Sequence, residues 1–356
     1  MEKITNLFKR LTNVDAVLVT SQNNRQYFTG FQGSFGFLVL TKDFATYITD
    51  SRYFEMATEA MASLGIAVEQ CDGGLNAYQH AEDILKAIKA KTVGFENTEI
   101  TVAEYEALKT RLPDYEYIPV GEEILKIRQI KTEQELEYIA KAQSITDKAF
   151  TEILKIIKKD MTELDVAAEL EYQLKKNGAT GLAFDTIIAS GTNSSKPHAH
   201  PTDKKIAVGD AITMDFGARY NGYCSDMTRT VFLGEPSEQM RNIYNIVAKA
   251  QLAVLNNVKK GMTGREVDSL AREVITANGF RDNFQHGLGH SVGLDIHERP
   301  TMNPASDEIL VENQLITVEP GIYVPGLGGV RIEDLIIIKN DGIINLTKSN
   351  KTLIIL

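Results

Sequence analysis

The sequence predicts a two-domain protein of mixed α/β class, in which a small α/β domain precedes a larger α+β domain with an internal two-fold repeat. Three observations support this prediction. The chain has 356 residues, more than one typical core contains. Residues 1–125 alternate short strand-like and helix-like runs. Residues 148–178 recur, in part identically, at 249–279. We therefore expect domains at 1–125 and 126–356.

Charge and cysteine content restrict the classes of function. The formal net charge is −10 and the pI is near 5.3, which disfavours a nucleic-acid partner or an anionic membrane surface. Cys71 and Cys224 are too few for a disulfide framework or a thiolate zinc site. The first residues lack the apolar core of a signal peptide, and no stretch reaches the roughly 18 apolar residues of a membrane span. We expect a cytoplasmic protein.

The predicted N-terminal domain contains short β-branched and aromatic runs separated by segments with helical periodicity. Strands are expected at 15–20, 36–41, 44–49, 92–95 and 117–120. Helices are expected at 52–64, 77–91 and 102–112. This domain has no cluster of histidines and carboxylates, so we expect it to shape or cover a site elsewhere.

Longer helices begin after the predicted domain boundary. Thr132 and Glu135 have the spacing of a capping box, in which each residue bonds the other's backbone N–H. The helix that they open could continue to about Lys159, or it could break into two near residues 144–146.

The repeat relates residues 148–178 to 249–279 at a constant offset of 101, with ten identities in 31 aligned positions and no gap. Each copy contains a helix, then a Met-Thr turn whose threonine, Thr162 or Thr263, caps the next helix. Each copy ends at an Asn-Gly pair. Such a pair favours the end of a helix, because its glycine readily takes the left-handed backbone conformation that closes a helix C-terminus. The larger domain is therefore predicted to be a duplication.

A β-hairpin is predicted after the first copy. Asn221-Gly222 suits a type I′ turn, in which both central residues have positive φ. With this two-residue turn, Tyr220 faces Tyr223, and Asp215 and Asp226 become diagonal neighbours on one face of the ribbon. In an arbitrary hairpin such aspartates are most often solvated surface residues. A functional role for them therefore depends on whether the second copy of the repeat has matching carboxylates.

The second copy is followed by a similar arrangement, with runs at 314–324 and 330–338 around a loop at 325–329. If Val324 faces Val330, then Glu333 faces Gly321, and Glu319 and Glu333 have the same diagonal relation as the two aspartates. Pro320 removes a ladder donor and could kink the strand. Two related hairpins with two carboxylates each predict one shared site.

Histidines occur beside the second hairpin. The segment 286–300 contains His286, His290 and His297, three of the six histidines in the chain, among several glycines. Four carboxylates and an imidazole suit two divalent ions of manganese, cobalt, iron or zinc. Carboxylates that bridge two ions hold them about 3.5–4 Å apart, and a water shared between such ions becomes a hydroxide that attacks a carbonyl. The predicted reaction class is metal-assisted hydrolysis.

Several short motifs resemble those of the pita-bread metallopeptidases, and most closely the Xaa-Pro peptidases, that is, aminopeptidase P and prolidase. The motifs are DFG at 215–217, SDMTRT at 225–230, HGLGH at 286–290, HERP at 297–300, VEPGIY at 318–323 and VRIED at 330–334. The resemblance covers residues 132–356. Residues 1–125 resemble, more weakly, the creatinase-type N-terminal domain.

The resemblance implies the metal ligands. Asp215 would chelate one ion, and Asp226 and Glu333 would bridge both ions. His290 and Glu319 would complete the coordination of the other ion. The metal expected from the resemblance is Mn²⁺, with Co²⁺, Zn²⁺ or Fe²⁺ as alternatives.

The resemblance also implies the residues that handle the substrate. His198 and His297 match family histidines that contact the substrate or the tetrahedral intermediate, and Glu319 matches the family's proton shuttle. The expected substrates are proline-containing peptides, cleaved after the residue that precedes proline, and the expected assembly is a homodimer. The motifs do not separate an aminopeptidase for longer peptides from a dipeptidase.

Three other classes of function stay open at this stage. A methionine-aminopeptidase-like enzyme would share the ligand set, a creatinase-like enzyme would hydrolyse without metal, and a non-catalytic module would only bind peptides. The long N-terminal domain argues against a minimal methionine aminopeptidase. The intact ligand set argues against the other two.

Four further residues lie within or near these motifs. Arg331 lies on the same face as Glu333 along one strand, so it could orient that carboxylate or form a surface ion pair. Tyr323 is expected to be mainly a packing residue, and His200 to have no direct function. Cys224 lacks a neighbouring base that would mark a nucleophile.

Overall fold

The computed structural model describes residues 2–356. The chain forms two compact units, one ending at Arg128 and the other spanning Gln129–Leu356. Each unit mixes helices and strands, so the predicted α/β class is confirmed.

The first unit contains six helices and one six-stranded sheet among its described residues. The helices are α1 (Glu2–Phe8), α2 (Gln22–Thr29), α3 (Phe54–Met61), α4 (Gly74–Ala87), α5 (Val102–Arg111) and α6 (Gly121–Arg128), with a 3₁₀ turn at Ala62–Leu64. The strands are β1 (Ala16–Val19), β2 (Phe37–Leu40), β3 (Ala45–Asp50), β4 (Ala67–Cys71), β5 (Thr92–Phe95) and β6 (Glu116–Pro119). Their order in the sheet is β4-β3-β2-β1-β5-β6.

The core of this unit follows from helical spacing. Ala77, Ala81 and Leu85 of α4 recur every four residues and are buried against the sheet. The sequence predicted α3 to α5 and five of the strands, but it missed β4, α1, α2 and α6. Strand β4 lies at an edge of the sheet and buries only Cys71 fully, so it lacks the apolar run that indicates a strand.

The second unit is built from two similar halves. The first half contains α7 (Glu133–Ile153), α8 (Glu163–Lys176), β7 (Gly181–Leu182), β8 (Ile187–Ser190), a 3₁₀ turn (Gly191–Ser195), β9 (Ala211–Phe216), β10 (Ala218–Tyr220), β11 (Tyr223–Cys224) and β12 (Met227–Phe232). The second half contains α9 (Glu238–Asn257), α10 (Gly264–Ala277), a 3₁₀ turn (Arg281–Asn283), β13 (Gly289–Ser291), β14 (Glu298–Met302), β15 (Leu315–Val318), β16 (Gly321–Val324), β17 (Gly328–Arg331), β18 (Asp334–Lys339) and β19 (Gly342–Asn345). Each half has a buried apolar cluster between its helices and its strands.

Helix α7 is continuous and shorter than the longer of the two predicted alternatives. It starts at the predicted capping box and ends at Ile153. No break occurs at 144–146, because Ile145 and Thr146 belong to the face of the helix that is buried. Apolar burial along one face thus outweighs the lower helix propensity of a Ser-Ile-Thr run.

The duplication is visible in the backbone. Thr162 and Thr263 each form a complete capping box with the residue three positions later. The residues two positions before them, Asp160 and Gly261, both have positive φ, at 69° and 92°. Each threonine also pairs in an isolated antiparallel bridge, Thr162 with Lys205 and Thr263 with Ile309. The predicted repeat is therefore a repeat of three-dimensional structure.

The first hairpin has the predicted register. Tyr220 faces Tyr223 and Asp215 faces Thr228. Asn221 and Gly222 have φ values of 47° and 85°, as a type I′ turn requires. The residues between β11 and β12 include Asp226, so this aspartate lies where the ladder is interrupted.

The second hairpin differs from the prediction by two residues in register. Val324 faces Gly328 rather than Val330, and Gly321 faces Arg331 rather than Glu333. In this register Glu319 and Glu333 lie directly across from each other, so the predicted diagonal relation is wrong. The turn contains only residues 325–327, because the glycines at 328 and 329 continue the strand.

The reason is a close approach of backbones. A Cβ on Gly329 would lie 2.2 Å from the carbonyl oxygen of Ser194. Glycine is therefore required here by packing, not by a turn. From sequence alone, two consecutive glycines after Pro-Gly are more typical of a loop.

Among residues 2–356, no helix is both long enough and apolar enough to cross a membrane.

Candidate metal centre and substrate cavity

Five predicted ligands come together at strand ends and strand breaks of the second unit. Asp215 lies near the end of β9, and Asp226 immediately precedes β12. In the other half, Glu319 follows β15 and Glu333 precedes β18. His290 lies in β13, which is one of the short strands of the second half. Asp226, Glu319 and Glu333 therefore lie at breaks between paired strands, whereas Asp215 and His290 belong to paired strands.

The distances describe one compact cluster. Asp215, Asp226 and Glu333 each offer a carboxylate oxygen, and these oxygens all lie within 4.8 Å of one another. His290 Nε2 lies 3.6 Å from Asp226 Oδ2 and 3.5 Å from Glu319 Oε1. The structure thus brings all five predicted ligands together.

Neighbouring side chains fix the orientation of three of the carboxylates. Arg331 Nη2 donates to Asp215 Oδ2 at 2.6 Å. Thr228 Oγ1 donates to Glu333 Oε2 at 2.8 Å, and Thr317 Oγ1 donates to Glu319 Oε1 at 3.1 Å. The last two contacts each place a strand threonine beside a glutamate.

Arg331 matches neither of the two alternatives considered for it, because it is buried and pairs with Asp215. Arg331 does not bond Glu333 among the described contacts; its Nε donates to Thr228 Oγ1 at 2.9 Å, and Thr228 in turn bonds Glu333. Arg331 therefore acts directly on Asp215 and only indirectly on Glu333. The cause is that Arg331 pairs with Gly321 in β16 and reaches across to the first hairpin.

A backbone contact determines which nitrogen of His290 can bind a cation. His290 Nδ1 lies 2.9 Å from the carbonyl oxygen of Ser291. A carbonyl accepts only, so Nδ1 carries the proton and Nε2 presents its lone pair toward Asp226 and Glu319. This is the arrangement usual for a metal-ligating histidine.

Burial and mutual repulsion perturb these groups strongly. Burial, followed by the charges of Glu333 and Asp215, raises the pKa of Asp226 well above its usual range. Burial, followed by the charges of Glu319 and Asp215, raises the pKa of Glu333 in the same way. Burial raises the pKa of Glu319 to about 8, and burial lowers the pKa of His290. Without a cation in addition to Arg331, this cluster resists holding all its carboxylates ionised.

Two buried oxygens show that the cluster fits a bound cation. Asp215 Oδ1 and Glu333 Oε1 have no hydrogen-bond partner, although buried carboxylate oxygens are normally bonded. Their second oxygens are held by Arg331 and Thr228, so the side chains are oriented with one oxygen left for another partner. Four carboxylates and one neutral imidazole are a suitable donor set for divalent ions.

A cavity of about 510 Å³ opens beside this cluster. Five histidines contribute to its wall: His198, His200, His286, His290 and His297. The rings of His290 and His297 are 4.5 Å apart between centroids. The structure therefore places His198 and His297 in the same cavity as the carboxylates, and it adds His200 and His286.

Tyr323 has a more specific role than the predicted packing. It is buried, and its hydroxyl lies 2.9 Å from His286 Nε2 and 2.8 Å from Arg331 Nη1. Burial raises the pKa of Tyr323 to about 12, so the hydroxyl keeps its proton and can donate to His286. Tyr323 thus links a histidine of the cavity wall to the arginine that holds Asp215.

Cys224 is buried, and burial raises the pKa of its thiol to about 12. A thiol with this pKa stays protonated and is a poor nucleophile.

Comparison with known proteins agrees with this geometry. A family model described as Metallopeptidase family M24 matches residues 137–340. The chain belongs to this family. A second model, the Creatinase/Prolidase N-terminal domain, matches residues 1–130. The chain is therefore a peptidase with an N-terminal creatinase-like domain and a C-terminal pita-bread domain, and membership of a metallopeptidase family implies divalent metal ions.

Full-length relatives have been named after two related activities. A solved structure named Xaa-Pro dipeptidase from Bacillus anthracis is 42% identical, with a TM-score of 0.96, covering 100% of this chain and 99% of that chain. A structure named X-Pro aminopeptidase from Thermotoga maritima is 37% identical, with a TM-score of 0.93, covering 98% and 99%. A Xaa-Pro dipeptidase of Pyrococcus furiosus is 39% identical over 99% of both chains.

Proposed function

We propose that this peptidase cleaves the Xaa-Pro bond at the N-terminus of peptides, in dipeptides or in longer substrates. Metal dependence is supported by two buried oxygens without hydrogen-bond partners, Asp215 Oδ1 and Glu333 Oε1, which lie within a cluster of carboxylates. The names of the full-length relatives support the preference for proline.

We propose that the cluster holds two divalent ions, with Mn²⁺ preferred and Co²⁺, Zn²⁺ or Fe²⁺ as alternatives. Asp215 would bind one ion, His290 and Glu319 the other, and Asp226 and Glu333 both. When bound, the ions would supply Lewis-acid polarisation of the scissile carbonyl and a water of lowered pKa. Arg331 and Thr228 keep Asp215 and Glu333 in fixed rotamers, so the ligands need not reorganise when the ions bind.

Glu319 is the proposed general base. Its carboxylate is oriented by Thr317 Oγ1 and lies beside His290. A base at this position can take a proton from the attacking water and return it to the leaving nitrogen of proline. That return is necessary because an amide nitrogen leaves as a neutral amine only after it gains a proton.

His198 and His297 are proposed to bind the substrate carbonyl and its negatively charged tetrahedral form. Both line the cavity, and they come from segments that are far apart in sequence. An imidazole N–H that donates to the developing oxyanion stabilises the transition state more than the ground state. Because an Xaa-Pro bond offers no N–H, the cavity must recognise it through carbonyl oxygens and shape.

The test combines metal analysis with a peptide panel. The protein is stripped with a chelator, reloaded separately with Mn²⁺, Co²⁺, Zn²⁺ or Fe²⁺, and assayed on Xaa-Pro, Xaa-Pro-Xaa and Met-Ala peptides. We expect two ions per chain, cleavage of one or both proline series, and no cleavage of Met-Ala. The relative rates on the first two series separate a dipeptidase from an aminopeptidase. Absence of Xaa-Pro cleavage with every metal would refute the proposal, and cleavage of Met-Ala would favour the methionine-aminopeptidase alternative.

The proposal includes a cytoplasmic homodimer. Sedimentation of the metal-loaded protein at several concentrations measures the assembly, and a mass of one chain at all of them would remove that part of the proposal.

A further inference from the structure

Glu163 is a buried carboxylate that the proposed chemistry does not use. It is the first residue of α8 and is 0% exposed. The capping box of this helix is formed by Thr162 and Asp165 instead. Burying a charge is unfavourable unless it is well bonded, so the position of Glu163 needs another explanation.

The hydrogen bonds of Glu163 tie the two ends of one segment together. Its Oε1 accepts from Ser190 N at 2.7 Å and from Ser190 Oγ at 2.8 Å. Its Oε2 accepts from Thr202 N at 3.1 Å and from Thr202 Oγ1 at 2.6 Å. Asn193 Nδ2 lies 3.2 Å from each oxygen. Residues 190–202, here called the His198 segment, therefore start and end on one carboxylate.

The tip of the His198 segment lines the cavity beside the metal centre and contacts the second hairpin. Its members Pro197, His198, Ala199 and His200 line the cavity. Arg331 Nη1 donates to the carbonyl oxygen of Pro197 at 3.2 Å, and the same arginine holds Asp215. Gly329 N donates to Ser194 Oγ at 2.8 Å. Glu163 thus fixes the base of the segment, while the tip rests against the second hairpin.

The duplication shows that the fold does not require this carboxylate. At the offset of 101, the equivalent of Glu163 is Gly264. The backbone there makes equivalent bonds: Glu163 N donates to Lys204 O at 3.1 Å, and Gly264 N donates to Glu308 O at 2.9 Å. A Cβ on Gly264 would lie 2.3 Å from the carbonyl oxygen of Thr301, so that half has no room for any side chain.

We propose that Glu163 is a positioning residue for the His198 segment, and that it holds His198 at its working distance from the metal centre. This inference rests on the proposed function, because it assumes that His198 contacts the substrate. It explains why the first half has a buried carboxylate where the second has glycine: in the first half this carboxylate holds both ends of the segment that carries His198. A displacement of such a group by about 1 Å can lower a rate by about 100-fold.

Glu163→Gln tests the proposal, because it keeps the size of the side chain and replaces an acceptor oxygen by a donor amide. This amide would oppose the donors of Ser190 or Thr202. We expect kcat/KM on an Xaa-Pro peptide to fall by about 10- to 100-fold, with metal content unchanged. Hydrogen exchange should accelerate at the amides of residues 190–202 and stay at the wild-type rate in β9 and β12.

Asp165→Asn is the matched control, since it removes a carboxylate from the same helix turn that bonds only Thr162. It should leave kcat/KM and exchange in the His198 segment unchanged. The proposal is overturned if Glu163→Gln retains the kcat/KM of this control, or if exchange accelerates throughout the second unit rather than in the His198 segment.

Thr202→Val provides a test if Glu163→Gln does not fold. It removes the 2.6 Å bond to Glu163 Oε2 and also the acceptor of Lys204 N, which lies 3.2 Å from Thr202 Oγ1. We expect a smaller loss of kcat/KM with faster exchange confined to the segment. Wild-type exchange and kcat/KM in this variant would also contradict the proposal. If the wild-type protein cleaves no Xaa-Pro peptide, the proposed function fails, whereas the exchange data still decide whether Glu163 holds the segment.

Discussion

The two halves of the second unit share a backbone and differ in the buried charges that brace their loops. Glu163 of the first half is replaced by Gly264 in the second. Four residues later the pattern is reversed, with Ala167 in the first half and Asp268 in the second. Each half therefore has one buried carboxylate near the start of the equivalent helix, α8 or α10, at different positions.

Asp268 braces the loop that contains His286. Its two oxygens lie 2.6 and 2.9 Å from Arg272 Nε and Nη2, and Oδ1 accepts from Leu288 N at 3.1 Å. Arg272 also donates to the carbonyl oxygen of His286 at 2.8 Å. The difference between the halves teaches that the duplicated backbone supplies the frame and the four carboxylates, while each half has its own means of fixing its histidines.

The largest expected effect comes from removing Asp226, a carboxylate of the first half that lies in the cluster formed by both halves. Asp226→Ala should abolish metal binding and lower turnover by more than about 10³-fold, because its carboxylate lies within reach of the oxygens of Asp215 and Glu333. The metal-free variant should be at least as stable as the metal-free wild type, since it no longer buries the carboxyl group whose pKa is raised by burial and then by the charges of Glu333 and Asp215. Elemental analysis and thermal unfolding measure the two effects.

Glu333→Ala is the counterpart in the second half and should behave in the same way. If either variant retains bound metal and wild-type turnover, the two hairpins do not build one centre, and the assignment of a bridging role to that residue is wrong.

The next largest effect shows whether His198 contacts the substrate or binds a metal ion. His198→Ala should retain the metal but lower kcat by about 10²- to 10³-fold, because it removes a donor to the reacting carbonyl. His200→Ala, two residues away on the same cavity wall, is the control and should change kcat only slightly. Loss of metal from His198→Ala would show that this histidine is a ligand instead.

Sequence patterns sufficed for the features that repeat or alternate locally. The capping boxes at Thr132, Thr162 and Thr263 and the type I′ turn at Asn221 are set by residues no more than three positions apart. The convergence of the carboxylates followed from the duplication, because two related hairpins with paired acids predict a common site.

Contacts between segments far apart in the chain could not be predicted from the sequence. The register of the second hairpin depends on the close approach of Gly329 to Ser194, which no local pattern indicates. The sequence pattern offered Glu333 as a partner for Arg331, but the side chain extends to Asp215, 116 residues away in sequence. Thr228 and Thr317 were missed as orienting residues because threonine is common in strands, and only their partners distinguish them.

A pH-dependent difference in stability is expected from His286, which belongs to the second half. Burial lowers the pKa of His286 to about 4, whereas an unfolded histidine has a pKa of about 6.5. The unfolded chain thus binds more protons between these values, so stability is lost as pH falls from about 6.5 to 4 and is fully present above 6.5. The contribution amounts to about 3 kcal/mol at most.

His286→Gln should remove this part of the pH dependence in the metal-free protein, measured by denaturant unfolding at pH 4.5 and 7. His200→Gln, which removes an exposed imidazole of the first half, should keep the wild-type difference between the two pH values. An unchanged pH dependence in His286→Gln would mean that the buried imidazole is not kept neutral by the folded state.

The smallest expected effect concerns the capping threonine that begins α8 in the first half and α10 in the second. Thr162→Ala and Thr263→Ala each remove a side chain that bonds the backbone N–H three residues later, at 3.0 Å from Asp165 N and 3.2 Å from Glu266 N. Each should lower the free energy of unfolding by about 1 kcal/mol, and neither should alter metal content. Equal losses are expected because the two caps have the same geometry and both lie on the surface. If Thr162→Ala is more harmful by several kcal/mol, the cap of the first half also supports the adjacent Glu163, and the bracing of the His198 segment begins one residue earlier than proposed.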